Sequence, residues 1–198
     1  MNKKLHYFSG IVLSIFIALH LLNHLGSIWG AEVHIQSMNY LRPLYRNIVI
    51  ETLLLCSVSI QIFSGLRLVH KRKTLKLSFY QTIQNYSGLY LSFFLVVHVS
   101  AIMVGRYYLK LDTNFYFGVA GLNTFPINLF FIPYYALALI SVFTHLAVVH
   151  KTKTSIRIIS PQAQFYIIMI LGTLITIGIF YGLTSHFQGI DIPEVYRI

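Results

Sequence analysis

Two histidines in this chain end the same thirteen-residue pattern. Phe8-Ser9-Gly10-Ile11-Val12-Leu13-Ser14-Ile15-Phe16-Ile17-Ala18-Leu19-His20 is matched by Tyr86-Ser87-Gly88-Leu89-Tyr90-Leu91-Ser92-Phe93-Phe94-Leu95-Val96-Val97-His98. The register is unbroken: aromatic, Ser, Gly, aliphatic, then Leu-Ser, with the histidine ten residues after the glycine. Ten residues are about 15 Å of α-helix, so if the two segments run in the same direction His20 and His98 share one depth. Each lies in a long apolar run, where a polar side chain is costly and turns inward to find a partner. A lone histidine in that position is explained equally well by an interhelical hydrogen bond. A matched pair on repeated helices is better suited to hold a haem iron between two neutral imidazoles.

The elements that position this pair are membrane spans. A helical span needs about 20 mostly apolar residues, and five windows qualify, at roughly 8–29, 47–69, 86–108, 130–150 and 164–186. The expected fold is therefore all-α and integral to a membrane, one domain over residues 1–198, with the first four of five spans forming the haem-binding bundle. Met1-Asn2-Lys3-Lys4 ahead of the first run resembles the start of a signal peptide. The run is too long for that and lacks a small-x-small cleavage site, so it is expected to be a retained span. Only 10% of residues are charged, against roughly 25% in a soluble domain.

Charge then orients the bundle. With the N-terminus inside, the inner loops carry Lys3, Lys4, Arg67, Lys71, Arg72, Lys73, Lys76, Lys151, Lys153 and Arg157, ten cations and no acid. The outer loops carry Arg42, Arg46, Arg106, Lys110 and Arg197, balanced by Glu32, Glu51, Asp112, Asp191 and Glu194. The whole +10 of the chain thus faces the cytoplasm of a bacterial-type inner membrane, with the C-terminus outside. Nucleic acid is not the expected partner, because there is no soluble basic face. Acidic protein partners or anionic headgroups are. The single Cys56 excludes a disulfide framework and a cysteine-ligated cluster within the chain, and the lack of a Gly-rich phosphate loop excludes a nucleotide or flavin site.

A second polar layer lies nearer the inner side: His145 late in the fourth span and Gln61 at comparable depth in the second, followed by Ser64-Gly65. His24 lies one turn beyond His20 on the same face, where it would touch a haem propionate or replace His20 as ligand; the repeat register alone favours His20. His70 and His150 each precede a Lys-x-Lys and read as interfacial cations. His6, His34 and His186, at span ends or in a loop, receive no role. Glu51 is the one acid at the head of a span and is a candidate proton relay; the alternative is a carboxylate paired with Arg46 or Arg42. The segment from about Leu109 to Phe125, with Phe115-Tyr116-Phe117, would cap the outer site or form an interfacial aromatic belt.

Ser9-Gly10 with His20, and Ser87-Gly88 with His98, resemble the dihaem cytochrome b membrane anchor of succinate:quinone oxidoreductases and fumarate reductases. Tyr45-Arg46 followed by Glu51, Gly65 late in the second span, and Tyr134-Tyr135 ahead of His145 extend the resemblance over the first four spans. It implies that His20 and His98 are axial ligands of the iron of an outer haem b and that His145 is a ligand of an inner one. The position where the family's second-span histidine falls is Gln61. The inner haem is then absent, five-coordinate through His145, or completed from elsewhere in the chain. The resemblance further implies a quinone site, a role in electron transfer rather than catalysis alone, and docking of separate flavoprotein and iron–sulfur subunits on the cytoplasmic face. Cytochrome b subunits of hydrogenases or formate dehydrogenases, and a haem-free anchor or assembly protein, are the rival readings.

Overall fold

The computed structural model describes residues 3–153 and 158–197; Arg157 of the basic loops lies outside them. Every regular element among the described residues is a helix. Helix α1 (Lys3–Gly26) runs through a 3-10 turn to Trp29, and Gly30, at φ 113°, turns it into α2 (Ala31–Tyr45). Then follow α3 (Ile48–Arg72), α4 (Phe79–Met103) with a π turn over Val104–Tyr108, α5 (Phe115–Asn123), α6 (Asn128–Lys153) and α7 (Pro161–Leu183). Five of these, α1, α3, α4, α6 and α7, are long and apolar enough to cross a membrane, as expected. Helices α1, α4, α6 and α7 begin two to seven residues before the expected windows and α3 one residue after, and Pro133 lies inside α6.

Local chemistry sets the helix starts. Asn47 accepts from the Val49 amide at 3.0 Å, and Ser78 and Gln81 cap α4 reciprocally. Ser160 accepts from the Ala163 amide, with Pro161 at the first helical position where its missing N–H costs nothing. The two helices that hydropathy does not reveal, α2 and α5, lie together at one end of the bundle.

The five long helices form a closed ring, α1 against α3, α3 against α4, α4 against α6, α6 against α7, and α7 back against α1. Side-chain size sorts across this ring in the sense opposite to a soluble bundle. In α3, Phe63 is 69% exposed while its neighbour Ser64 is 4% exposed. Ser9, Ser57, Ser87, Ser92 and Ser141 are likewise buried, while Phe8, Ile15, Leu22, Ile170 and Leu174 point outward. Small polar residues let helices approach where lipid supplies no drive for large apolar ones to turn inward. The hydroxyls return their protons to their own helices, as Ser9 does to Leu5 O at 2.8 Å and Ser92 to Gly88 O at 2.9 Å.

At the basic end, Arg72 donates to Gln84 and Asn85, each at 3.2 Å, and Lys151 reaches Gln162 and lies 4.2 Å from the Tyr80 ring centre. His150 bonds Gln164 of α7 at 2.6 Å rather than extending from the bundle as an interfacial cation. At the opposite end α5 is a plug rather than an aromatic belt. Phe115, Val119, Ala120 and Leu122 are buried in one cluster with Ile179, Leu183 and Ile192.

The ring closes through glycine. A Cβ on Gly182 of α7 would lie 2.6 Å from the backbone nitrogen of Ile28, which cannot give way as a side chain can. We predict that Gly182→Val destabilises the folded protein by about 1–3 kcal/mol, the usual range for overpacking. Gly118→Ala, which meets open space, should be neutral or slightly stabilising. Thermal unfolding of the two variants in detergent measures both effects.

Candidate functional site

Because the ring runs α1–α3–α4–α6–α7, α1 and α4 face each other across its interior. His20 and His98 meet there, with ring centres 6.3 Å apart and planes at 65°. The repeat sets the surroundings of both rings alike. Phe16 stacks on His20 at 5.7 Å and 15°, and Phe94, its counterpart, stacks on His98 at 4.9 Å and 13°. Each phenyl sits one turn before its histidine, where a helical side chain leans back onto it. Two imidazoles that share one metal ion at about 2 Å from each nitrogen hold their ring centres about 6 Å apart. The 6.3 Å between the ring centres of His20 and His98 is of that size.

His98 makes ring contacts with Phe94 and Tyr135 but no hydrogen bond to any described residue. An interhelical hydrogen bond thus does not explain its presence. His20 differs, because its Nε2 lies 3.1 Å from His24 Nε2. His24 Nδ1 in turn lies 3.2 Å from His34 Nε2, which Asn23 Nδ2 also reaches at 3.1 Å. Neutral imidazoles satisfy this chain in one direction: His20 Nε2–H to His24, then His24 Nδ1–H to His34 Nε2, which also accepts from the amide. To hold a metal through Nε2, His20 would have to give up this bond and carry its proton on Nδ1, while His24 would keep its bond to His34. His24 is therefore a bridge from His20 to α2, while the ring that faces His98 at 6.3 Å is that of His20.

His34, given no role from sequence, is 3% exposed and packs 5.1 Å from the Phe115 ring, so α2 and α5 close this end of the site together. Its Nδ1 and the Asn23 Oδ1 are buried without a partner among the described residues. The sequence signal was the four-residue step from His34 to Met38, the two buried positions of a helix of mixed polarity.

The second layer repeats the logic of the first. Ser87-Gly88 of α4 cradles His145 of α6: Ser87 Oγ is 3.3 Å from His145 Nδ1, and a Cβ on Gly88 would lie 3.4 Å from His145 Cε1. Ser9-Gly10 of α1 cradles Gln61 of α3 in the same way, with Gln61 Nε2 donating to Ser9 Oγ at 2.8 Å and a Gly10 Cβ falling 3.3 Å from that nitrogen. Gln61 Nε2 also donates to the His6 carbonyl at 2.5 Å. Gln61 is thus the structural counterpart of His145, with both amide protons committed to α1.

Glu51 is not among the histidines. It pairs with Arg106 at the end of α4, and neither Arg42 nor Arg46 is its partner. Those two reach Asp112, Arg42 at 2.9 Å and Arg46 at 4.0 Å. Arg106 was missed because it meets Glu51 only through the α3–α4 packing, fifty-five residues away in the chain. Burial, with Arg42 and Arg106 nearby, lowers the Arg46 guanidinium below its ordinary value.

No protein-family model, curated protein or solved structure matches this chain, so the functional reading rests on these residues and their geometry.

Burial, and secondarily His20, holds the His34 imidazole down at about 4. A base with a depressed folded pKa gives stability that is complete above its unfolded value near 6.5 and is lost as pH falls toward the folded one. The thermal midpoint should therefore fall between about pH 6.5 and about 4. His34→Gln should flatten that slope, which melts recorded across the interval would show.

Proposed function

We propose that this chain is a haem b- and quinone-binding membrane anchor subunit that passes electrons between a succinate dehydrogenase or fumarate reductase-type catalytic module and the quinone pool. The observation that carries the proposal is the His20–His98 pair, 6.3 Å apart across the interior, with His98 satisfied by no hydrogen bond among the described residues. Bound haem b would supply a one-electron carrier whose potential the axial ligands and burial set. The chain's own residues do the rest. His20 and His98 would hold the iron, Phe16 and Phe94 fix their ring planes, and α5 and α2 exclude water from that end.

In this reading the N-terminus is cytoplasmic and the C-terminus lies outside a bacterial-type inner membrane. The basic end, with Lys3, Lys71, Lys73, Lys76 and Lys153 among its cations, receives the flavoprotein and iron–sulfur subunits. Quinone is bound near the opposite end. Glu51, held by Arg106, is the carboxylate we assign to passing its protons.

The test is haem per chain by pyridine haemochrome, with reduced-minus-oxidised spectra, on purified wild type and His98→Ala. The reading predicts that the variant loses one haem while keeping its fold. Haem-supplied, folded wild type without any haem spectrum would leave a haem-free anchor. An unchanged count in His98→Ala would remove the assigned ligand pair.

A further inference from the structure

His6 sits at the basic end of α1, one turn before the Ser9-Gly10 cradle, and its ring turns into the bundle toward α3. Its Nδ1 is 2.6 Å from Ser64 Oγ. A serine hydroxyl has one proton, and that of Ser64 goes to the Ile60 carbonyl of its own helix. Nδ1 of His6 is therefore the donor and carries the ring proton, which leaves Nε2 with a free lone pair. That nitrogen takes no hydrogen bond from any described residue.

His145 repeats this arrangement. Ser87 gives its proton to Gln84 O at 3.1 Å and so accepts from His145 Nδ1 at 3.3 Å, which puts the ring proton of His145 on Nδ1. A hydrogen bond on one ring nitrogen that fixes the tautomer and frees the other is the usual support of a metal-binding imidazole. Both rings border the same floor of small residues. A Cβ on Gly65 would lie 3.8 Å from both His6 Cε1 and Ser92 Oγ, and Ser92 bonds the carbonyl of Gly88, against which His145 packs.

We infer that His6 is the second axial ligand of an inner haem site, opposite His145, in place of the residue at Gln61. The inference rests on the cytochrome reading above. Gln61 cannot serve, since its amide protons are committed to the His6 carbonyl and Ser9 Oγ and its amide is a poor iron donor. His6 precedes His20 by fourteen positions, about 21 Å of helix, so the two sites stack along the bundle rather than compete.

The experiment is haem stoichiometry and spin state, by resonance Raman and optical spectra, on the purified full chain. The proposal expects two six-coordinate low-spin haems in wild type. In His6→Ala one haem becomes five-coordinate high-spin or is lost, and added imidazole returns it to the low-spin form. His145→Ala affects the same haem, and His98→Ala affects the other. Imidazole rescue separates a missing ligand from a misfolded chain. Two unchanged low-spin haems in His6→Ala overturn the assignment, as does loss of both haems without rescue. One haem in wild type, sensitive to His98→Ala and indifferent to His6→Ala, overturns the inner site while the cytochrome reading stands. No haem in wild type removes both.

Discussion

An imidazole carried into hydrocarbon has no water to bond, so each one must be met from within the protein or by something the protein holds. Most of the interior answers to that constraint. His24 and His34 are met by each other and by Asn23, and His145 by Ser87. His6 is met by Ser64 and His150 by Gln164. His98 is ringed by Phe94 and Tyr135 and makes no hydrogen bond to a described residue. The haem proposal answers that unmet demand, with His20 opposed to His98 across the interior.

The repeat works because it transmits one local arrangement to two places. A serine and glycine at the start of an odd-numbered span allow the next span to press a polar side chain against it, and ten residues later a histidine emerges at common depth. The pairs α1–α3 and α4–α6 are copies of this unit, and α7 completes the ring by its close contacts with α6 and α1. Gly172 meets Phe143 and Gly182 meets Ser27 and Ile28 at separations no larger residue would allow. The fifth helix is therefore a structural closure, while the chemistry-bearing groups of the membrane interior lie on the first four spans.

How much of this could be read in advance follows from the range of each interaction. The five spans were legible because length and apolarity are summed over some twenty residues. The His20–His98 pairing was legible because the repeat gives equal depth and an inward face together. Helices α2 and α5 were not, being short and of mixed polarity, held by packing on the bundle end rather than by lipid. His34 looked like a loop residue until α2 folded back on α1. His6 looked like a span-end residue without a role because depth alone says nothing of rotation about the helix, and its ring turns inward to Ser64 where Gln61 donates to the His6 carbonyl. The partner of Glu51 depended on how α3 and α4 meet, which composition and spacing do not encode.

The central claim is that His20 and His98 hold one iron between them. Near-infrared magnetic circular dichroism of the oxidised wild-type protein tests it most directly, because the low-spin ferric charge-transfer band identifies the axial pair. The account predicts a bis-imidazole band whose His20–His98 component is lost in His20→Met and replaced by a His–Met band, while the component of an inner haem held by His6 and His145 remains. A wild-type spectrum without any bis-imidazole component, or one unaltered by His20→Met, would contradict it.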